Sequence, residues 1–335
     1  MALNVAFWGK ALRTIPRISK AEWSDLDLVS RWLVATRSGV LIMTAISAAI
    51  GGLLAFSDGT FNLLNFMIAF FGLIFAHASN NLINDWVDHR KGVDHNNYFR
   101  AEYGPQLLEH GYASQSTFKK YILFTLILAL AAGAYLSLTG PVTVFYLGAA
   151  GLFFLLFYTW PLKYIGLGEP TVVLVWGPLM IGGTYFVSGG HQWSWDVTWI
   201  ALLYSIGPTS VIFGKHIDKL TEDKRKRIFT LPVILGPDVS RYAVILMWIL
   251  QFVGFTWLVV EGTLTLPILI IWLAFPYLIK KGKPFFRKRP DEKPDEYEAE
   301  AWPLYFVRYA FEYNRRFSLL FLLGIILHVL VVRLF

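Results

Sequence analysis

Long apolar runs dominate the chain and indicate its fold class. Nine of them approach the roughly 20 residues that a helix needs to cross about 30 Å of hydrocarbon. Short polar connections separate these runs, and the pattern predicts an all-α, polytopic membrane protein with about nine transmembrane helices. The predicted spans are residues 32–56, 61–82, 118–138, 142–158, 171–187, 197–213, 242–260, 264–279 and 317–332. The pairs Gly177-Pro178 and Gly207-Pro208 predict kinks inside two of them.

Lysine and arginine are concentrated in alternate connections between the runs. Basic residues fill the amino-terminal arm and segments 90–91, 215–227 and 280–289, whereas the connections at 58–59, 139–140, 190–195 and 261–262 have neither lysine nor arginine. Because positive residues collect on the cytoplasmic side, we expect a cytoplasmic amino terminus and an external carboxyl terminus. The predicted location is a bacterial or archaeal cytoplasmic membrane. This bias accounts for most of the net charge of +7, so the composition does not favour a nucleic-acid partner.

The amino-terminal 30 residues differ in composition from the rest of the chain. They lack the continuous apolar core of a cleavable signal, and residues 19–30 predict an amphipathic helix at the cytoplasmic surface. We therefore divide the chain into an interfacial segment, 1–30, and a transmembrane domain, 31–335. The absence of cysteine excludes disulfides and thiolate metal sites.

Two inner-side segments place acidic residues directly against apolar spans. In the first, Asn81, Asp85 and Asp88 have i, i+4, i+7 spacing, which puts a carboxamide and two carboxylates on one helical face. Mg²⁺ binds one or two carboxylates and completes its coordination with water and substrate phosphate. The face therefore predicts a magnesium-held phosphate or diphosphate, with an ordinary solvated helix end as the alternative interpretation.

The second segment follows the sixth span and adds positive charge. Asp218 and Glu222 are four residues apart, as are Lys219 and Asp223. The carboxylates could hold a second metal while the lysine contacts phosphate oxygens. A solvated loop is again the alternative.

At these residues the chain resembles the UbiA superfamily of intramembrane prenyltransferases, most closely the branch that makes menaquinone from 1,4-dihydroxy-2-naphthoate. Segment 81–94 is similar to the first aspartate-rich motif of the family, and 218–223 followed by 230–236 is similar to the second. Segments 158–161, 166–169, 177–178 and 183–185 resemble the middle of the naphthoate enzymes. One departure is that Asp218 and Asp223 are five residues apart, where that branch has four, so Glu222 could take one role.

The resemblance implies a UbiA-like bundle with a central cavity open to the cytoplasmic side. It also implies transfer of a polyprenyl group from its diphosphate to a hydrophobic, aromatic acceptor of quinone-precursor type in the bilayer, with two Mg²⁺ ions. The catalytic candidates are Asp85, Asp88, Asp218 and Asp223. The metal ligands would be Asp85, Asp88, Asp94, Asp218, Glu222 and Asp223. Diphosphate would contact Asn81, Asn84, Lys219, Lys163, Arg37 and Tyr158, although Lys163 and Arg37 could equally be interfacial residues with solvated charges.

Other functions remain compatible with these residues. A transporter could use intramembrane acids to bind a cation or an anionic substrate. A diphosphate-lipid hydrolase or cyclase, or a prenyltransferase with a non-aromatic lipid acceptor, could use the same scaffold. The sequence leaves the acceptor, the prenyl length and the oligomeric state open.

Overall fold

The computed structural model describes residues 3–93, 104–295, 297–298 and 302–334. These residues form helices connected by short loops, with no strand in the described ranges. The α-helices, numbered in chain order, are α1 (Val5–Arg13), α2 (Lys20–Asp25), α3 (Leu28–Ala35), α4 (Ile42–Ser57), α5 (Leu63–Arg90), α6 (Gln115–Thr139), α7 (Val142–Phe157), α8 (Gly168–Leu174), α9 (Gly183–Ser188), α10 (Trp195–Asp218), α11 (Leu220–Arg225), α12 (Leu231–Leu235), α13 (Pro237–Val260), α14 (Phe275–Gly282) and α15 (Phe306–Leu334).

Seven helical segments in the described part of the chain are long and apolar enough to cross a membrane. They are Ser38–Ser57, Leu63–Arg90, Gln115–Thr139, Gly168–Ser188, Trp195–Asp218, Pro237–Val260 and Phe306–Leu334. The predicted all-helical membrane fold is confirmed, but the count of nine is not. The fourth predicted span forms the shorter apolar helix α7. The eighth is a 3-10 segment, Leu266–Ala274, followed by α14.

Two predicted spans start or bend differently from the sequence-based boundaries. The first span does not begin at Trp32, which lies in the separate helix α3, because Arg37 adopts a left-handed backbone conformation (φ 55°) that breaks the helix. The fifth bends at Gly177, where φ is −90° and ψ is −106°. This residue lies inside a π-helical segment, Val175–Gly182. α10, in contrast, runs through Pro208 without interruption.

The main core lies among α4, α10, α13 and α15. Aromatic rings fill it: Trp248 stacks on Tyr313 with centroids 4.1 Å apart, and Phe255 packs on Phe321 at 4.3 Å. α6 is different: in its most apolar stretch of 18 residues, only 11% of the residues are buried. One side of the bundle is thus tightly packed, whereas α6 leaves most of its apolar surface available to lipid.

The amino-terminal segment packs against the end of the bundle at which α4 begins. Segment 19–30 is two helices rather than one, because Asp27 caps the start of α3 by accepting a hydrogen bond from the backbone of Ser30. The same carboxylate accepts hydrogen bonds from the indole of Trp8 and the backbone of Asn4. Ser38 Oγ donates to the carbonyl of Ala11 at 2.9 Å. These contacts tie α1 to the residues next to Arg37.

Candidate active site

The carboxyl-terminal half of α5 positions the first acidic cluster. α5 continues past the end of the predicted span to Arg90, so the residues from Asn81 to Asp88 lie on a regular helix. Asn81, Asn84 and Asp88 are buried, and Asp85 is 15% exposed. The predicted polar face therefore exists, and it points into the protein rather than into water.

Arg37 reaches this face from the break before α4. Its Nη2 lies 3.2 Å from Asp85 Oδ1 and donates to the backbone carbonyl of Asn81 at 3.2 Å. The Asn81 side chain donates in turn to the carbonyl of Thr36 at 2.9 Å. Hydrogen bonds with Asn81 on both sides of the helix break thus hold Arg37 in its left-handed conformation, which places the guanidinium beside Asp85.

Lys163 occupies the corresponding place beside Asp88. It lies in the 3-10 turn Leu162–Tyr164 that follows α7, and its Nζ is 3.0 and 3.2 Å from the two Asp88 carboxylate oxygens. Both side chains are at least 90% buried. Close by, Asn84 Oδ1 accepts a hydrogen bond from Thr159 Oγ1 at 3.2 Å. The turn between α7 and α8 therefore closes over the acidic face of α5.

The second cluster divides into two environments. Asp218 accepts hydrogen bonds from the backbone N–H groups of Tyr305, Phe306 and Val307 at 2.9–3.0 Å, so its carboxylate caps the start of α15. Lys219 and Asp223 form an ion pair of 3.5 Å at the next turn. Glu222 is partly exposed. The cap on α15 was not predicted, and a metal contact for Asp218 stays a prediction.

A buried pair behind the second cluster connects three elements. His216 Nδ1 and Glu169 Oε1 are 2.5 Å apart, and Glu169 Oε2 accepts a hydrogen bond from the backbone of Leu231 at 3.2 Å. This contact joins α8, α10 and α12. Neither His216 nor Glu169 was predicted from the sequence to belong to the site.

A large cavity starts beside the first cluster and extends between α6 and α7. Its volume is about 1260 Å³. Arg37, Asn81, Asn84 and Tyr158 line it at the polar end, while leucines, alanines and glycines of α6 and α7 line the other end. In the described part of the chain, the charged side chains that border the cavity are six basic ones, Arg37 included, and two acidic ones: Arg13, Arg17, Arg37, Lys215, Arg308, Arg315, Glu298 and Glu312. The polar end is therefore cationic.

Comparison with known proteins assigns the family. The sequence model described as the UbiA prenyltransferase family matches residues 44–304. The chain belongs to the UbiA prenyltransferase family. It is therefore an enzyme, a prenyltransferase, and the superfamily resemblance in the sequence is confirmed.

Curated relatives and solved structures agree with this family. UbiA prenyltransferase domain-containing protein 1 from Danio rerio is 24% identical over 280 residues, which is 78% of this chain and 79% of the relative. The Homo sapiens protein of that name is 25% identical over 224 residues and 64% of each chain. The naphthoate branch and the bacterial or archaeal location stay predictions, since these relatives come from animals.

Two archaeal structures share the fold. An apo UbiA homolog from Aeropyrum pernix K1 has a TM-score of 0.62 at 16% identity, covering 85% of this chain and 97% of the homolog. A UbiA homolog from Archaeoglobus fulgidus bound to GPP and Mg²⁺ has a TM-score of 0.56 at 14% identity, covering 87% and 99%. At these identities the likeness supports the fold alone.

The acidic residues of this UbiA enzyme fit Mg²⁺ that arrives with a substrate phosphate. Within the described ranges, no three carboxylate or histidine side chains converge on one point. Instead, four aspartates each lie beside a cation: Asp85 by Arg37, Asp88 by Lys163, Asp223 by Lys219 and Asp218 by Arg289. Magnesium needs only one or two protein carboxylates when phosphate supplies further oxygens. This donor set therefore suits a magnesium–diphosphate complex better than a permanent metal cage.

The structure brings some predicted site residues together and separates others. Asn81, Asn84, Asp85, Asp88, Arg37 and Lys163 form one cluster with Tyr158 nearby, whereas Asp94 lies outside the described residues. Sequence reasoning missed the cations of α15. Arg308 and Arg315 both line the cavity. They are seven residues apart and so share a helical face, a signal that was lost because the predicted span began at 317.

Proposed function

We propose that this enzyme transfers a polyprenyl group from a prenyl diphosphate to an aromatic acceptor in a Mg²⁺-dependent reaction within the membrane. The observation that carries the proposal is a cavity with a cationic end, where the lining residue Arg37 lies 3.2 Å from Asp85, and with a long apolar end. A prenyl diphosphate has the same two-part chemistry. Its charged head would lie beside α5, and its hydrocarbon chain would extend between α6 and α7.

The diphosphate head group would bind the cations of the site's ion pairs and so release their carboxylates. Phosphate oxygens suit Arg37 and Lys163, because guanidinium and ammonium groups form strong charge-assisted hydrogen bonds with phosphate. Asp85 and Asp88 would then turn to Mg²⁺, and Lys219 with Asp223 would contribute a third such pair, with Glu222 and Asp94 as further candidate ligands. When bound, Mg²⁺ would neutralise the charge that develops on the departing diphosphate.

The cavity dimensions suit two substrates at once. Sites for single drug-sized ligands occupy about 300–1000 Å³, and this cavity of about 1260 Å³ is larger. Exposed apolar side chains on its lining, including Leu130, Leu138 and Phe145, bring its far end to the lipid-facing surface. A long prenyl chain could therefore extend toward the bilayer.

The reaction breaks the bond between the allylic C1 and a diphosphate oxygen and forms a bond from C1 to the acceptor. The acceptor loses a proton, and diphosphate leaves with the bonding electron pair. Positive charge that develops on the allylic group needs a water-poor site with electron-rich walls. Phe154, Tyr158, Trp176 and Phe311 line the cavity and could provide such faces. The resemblance to the naphthoate branch makes 1,4-dihydroxy-2-naphthoate the first acceptor to test.

Product analysis tests the proposal directly. The purified enzyme is incubated in detergent with Mg²⁺, prenyl diphosphates of several lengths and a set of aromatic and lipid acceptors, and products are identified by mass. We expect a prenylated aromatic product that disappears with EDTA and in Asp85→Asn. Asp196→Asn, an exposed carboxylate at the other end of α10, is the matched control and should keep activity. Only free prenol, or a product with a lipid acceptor, would contradict the proposed acceptor class.

The proposed orientation places the diphosphate end at the cytoplasmic face. It rests on the lysine and arginine bias, and the chain has no native cysteine to interfere with labelling. Thr60→Cys and Glu261→Cys, both exposed loop positions, should react with an impermeant thiol reagent added outside cells. Lys224→Cys should react only after permeabilisation. The reverse labelling pattern would invert the topology.

A further inference from the structure

Gln251 is a buried polar side chain in the middle of an apolar helix. It lies on α13, which is long and apolar enough to cross a membrane, and its exposed fraction is 0%. Its Nε2 donates to the backbone carbonyls of Leu203 and Tyr204 on α10, at 3.3 Å each. Polar side chains inside membrane spans are costly and usually have a function. The amide therefore calls for a role that an apolar side chain could not fill.

One of these carbonyls is the one that Pro208 leaves without its helical partner. In an α-helix the N–H of each residue donates to the carbonyl four residues earlier, and proline has no N–H. Pro208 therefore cannot donate to Tyr204, and Gln251 supplies that donor from the neighbouring helix. On the next residue of α10, Thr209 Oγ1 donates to the carbonyl of Ser205 at 2.8 Å. Neighbouring helices and threonine side chains are the usual means by which membrane helices accommodate proline.

The surroundings of Gln251 fix the direction of its amide. Carbonyl oxygens only accept hydrogen bonds, so the NH₂ group must face α10. From α15, the Tyr313 hydroxyl donates to Gln251 Oε1 at 3.4 Å. Gly207 makes room for the approach, because a Cβ at this position would lie 2.9 Å from Gln251 Nε2. The glycine, the proline and the amide thus form one contact between α10 and α13.

The Gly-Pro pair at residues 177–178 offers a comparison within the same chain. Both it and the pair at 207–208 predict a kink from sequence. At 177–178 the backbone bends within a π-helical segment, whereas α10 remains a continuous helix through 207–208. The Gly-Pro pair alone therefore does not determine the course of the backbone. The donor that Gln251 brings to Tyr204 explains why α10 stays regular.

The course of α10 matters because its end leads into the second acidic cluster. Pro208 precedes Asp218, the last residue of α10, by ten residues, which is about 15 Å along a helix. Sharp kinks at proline exceed about 20°, and such a bend would move the end of α10 by about 5 Å. Lys219 and Asp223 follow directly and would move with it.

The segment that follows α10 contacts the end of α5. Lys226 Nζ donates to the carbonyl of Gly92 at 3.1 Å, just beyond the last residue of α5. Lys215 of α10 also lines the same cavity as Asn81 and Asn84 of α5. A displaced α10 would therefore change the distance between the second cluster and the acidic face of α5.

We propose that Gln251 is a positioning residue of the enzyme. By supplying the hydrogen bond that Pro208 withholds, it keeps α10 straight and holds Lys219 and Asp223 at their distance from the acidic face of α5. The inference rests on the proposed function, in which this lysine and aspartate contact the diphosphate and its metal. Gln251 itself touches no reacting atom and acts only through the geometry of α10.

Gln251→Met tests the proposal, because methionine keeps the length of the side chain and removes its donors. Single cysteines replace the exposed Gln115 and Lys224 in the full-length chain, which has no native cysteine, and carry spin labels. We expect Gln251→Met to shift the distance between the labels by up to about 5 Å. With Mg²⁺ and 1,4-dihydroxy-2-naphthoate as acceptor, kcat/KM for geranylgeranyl diphosphate should fall about a hundredfold, the loss that a misplacement of about 1 Å can cause.

Restoring the backbone donor should reverse both effects. In Pro208→Ala/Gln251→Met the alanine N–H can reach the Tyr204 carbonyl, so the label distance and kcat/KM should return close to those of the unmodified enzyme. This double variant also decides the matter if Gln251→Met folds poorly. Tyr204→Phe is the matched control: it removes a buried hydrogen bond of 3.1 Å to Ser318, between α10 and α15, and leaves the contact with Gln251 in place. It should change neither the distance nor kcat/KM.

Three results would overturn the positioning role of Gln251. They are an unchanged distance or an unchanged kcat/KM in Gln251→Met, a double variant that is as impaired as Gln251→Met, and an equal shift in Tyr204→Phe. The label distance is measured without turnover. If the unmodified enzyme prenylates no acceptor, the proposed function is wrong, and the distances in the single and double variants still decide whether Gln251 keeps α10 straight.

Discussion

The pair formed by Lys163 and Asp88 offers the sharpest test of the site, because stability and activity should respond differently to it. Both side chains are buried, and the ammonium lies 3.0 Å from the carboxylate. In Lys163→Met the Asp88 charge would remain buried without its partner. Breaking a buried ion pair in this way costs about 3–5 kcal/mol. At roughly 2 °C per kcal/mol for a chain of this size, the thermal midpoint should fall by about 6–10 °C.

The double variant Asp88→Leu/Lys163→Met should recover most of this loss. Replacing a buried pair by apolar side chains of similar volume is often neutral or stabilising, so the two substitutions should be strongly non-additive. Activity should not recover, because both the proposed phosphate contact and the proposed metal ligand are gone. Thermal unfolding in detergent, followed by tryptophan fluorescence, and product formation by mass measure the two effects separately.

A second ion pair controls for charge removal in general. Arg308 Nη2 lies 2.6 Å from Glu298, whose carboxylate is 69% exposed, and Arg308 keeps Glu312 as another partner. Glu298→Gln should change stability by no more than about 1 kcal/mol. If Lys163→Met is as stable as Glu298→Gln, or if the double variant is as unstable as Lys163→Met, the inferred burial of the pair is wrong.

Three further predictions concern the ends of the bundle. Gly39→Ala would place a Cβ 3.0 Å from backbone atoms of Thr14. We therefore expect the free energy of unfolding to fall by about 1–3 kcal/mol and tryptic cleavage near Arg13 to be faster. Gly9→Ala, which has open space around it, should have neither effect. Burial raises the pKa of Asp27, but the stronger combined effect of hydrogen bonds from Ser30, Asn4 and Trp8 holds it below its ordinary value. Docking of α1 should therefore be fully stabilised above about pH 4 and weaken as pH falls through the lower folded-state pKa; hydrogen exchange of α1 should show this, and the same acid response in Asp27→Asn would contradict it. Asp218→Ala should lower the thermal midpoint by roughly 4–6 °C, since three backbone N–H groups at the start of α15, from Tyr305 to Val307, lose a charged acceptor. An unchanged midpoint would mean that the cap contributes nothing to stability.

The polar face of α5 could be predicted from sequence because it depends only on local spacing. A helix that continues past residue 82 must place Asn81, Asp85 and Asp88 on one side. Their partners could not be predicted in the same way. Arg37 is 44 residues from Asn81, and Lys163 is 75 residues from Asp88. Which cation meets which acid is decided by how the helices pack, and spacing along one helix carries no information about that.

The sequence predicted which segments are helical better than it predicted where the helices break. Arg37 has a left-handed backbone conformation, which is uncommon for residues other than glycine and has no signal in the sequence. In the predicted span 264–279, Pro276 lacks a backbone N–H and would clash with the carbonyl of residue 272 in a continuous helix. That segment accordingly begins as a 3-10 helix and becomes α14 only at Phe275. Pro178 indicated a bend, but not that the bend would turn Trp176 toward His77.

The pairing of acids with cations explains how a buried site can accept a highly charged head group. Buried charges are tolerated when each has a partner, and a diphosphate whose charge is offset by Mg²⁺ is itself close to neutral. Each of the pairs at Asp85, Asp88 and Asp223 is neutral before binding. Phosphate oxygens can replace the carboxylates beside the cations while the carboxylates find the metal, so no unpaired charge is buried at any stage. A site built from acids alone would repel the diphosphate until metal arrived, and one built from cations alone would have no ligand for the metal. The alternation of the two along α5 and its neighbouring turns is therefore what the proposed chemistry requires.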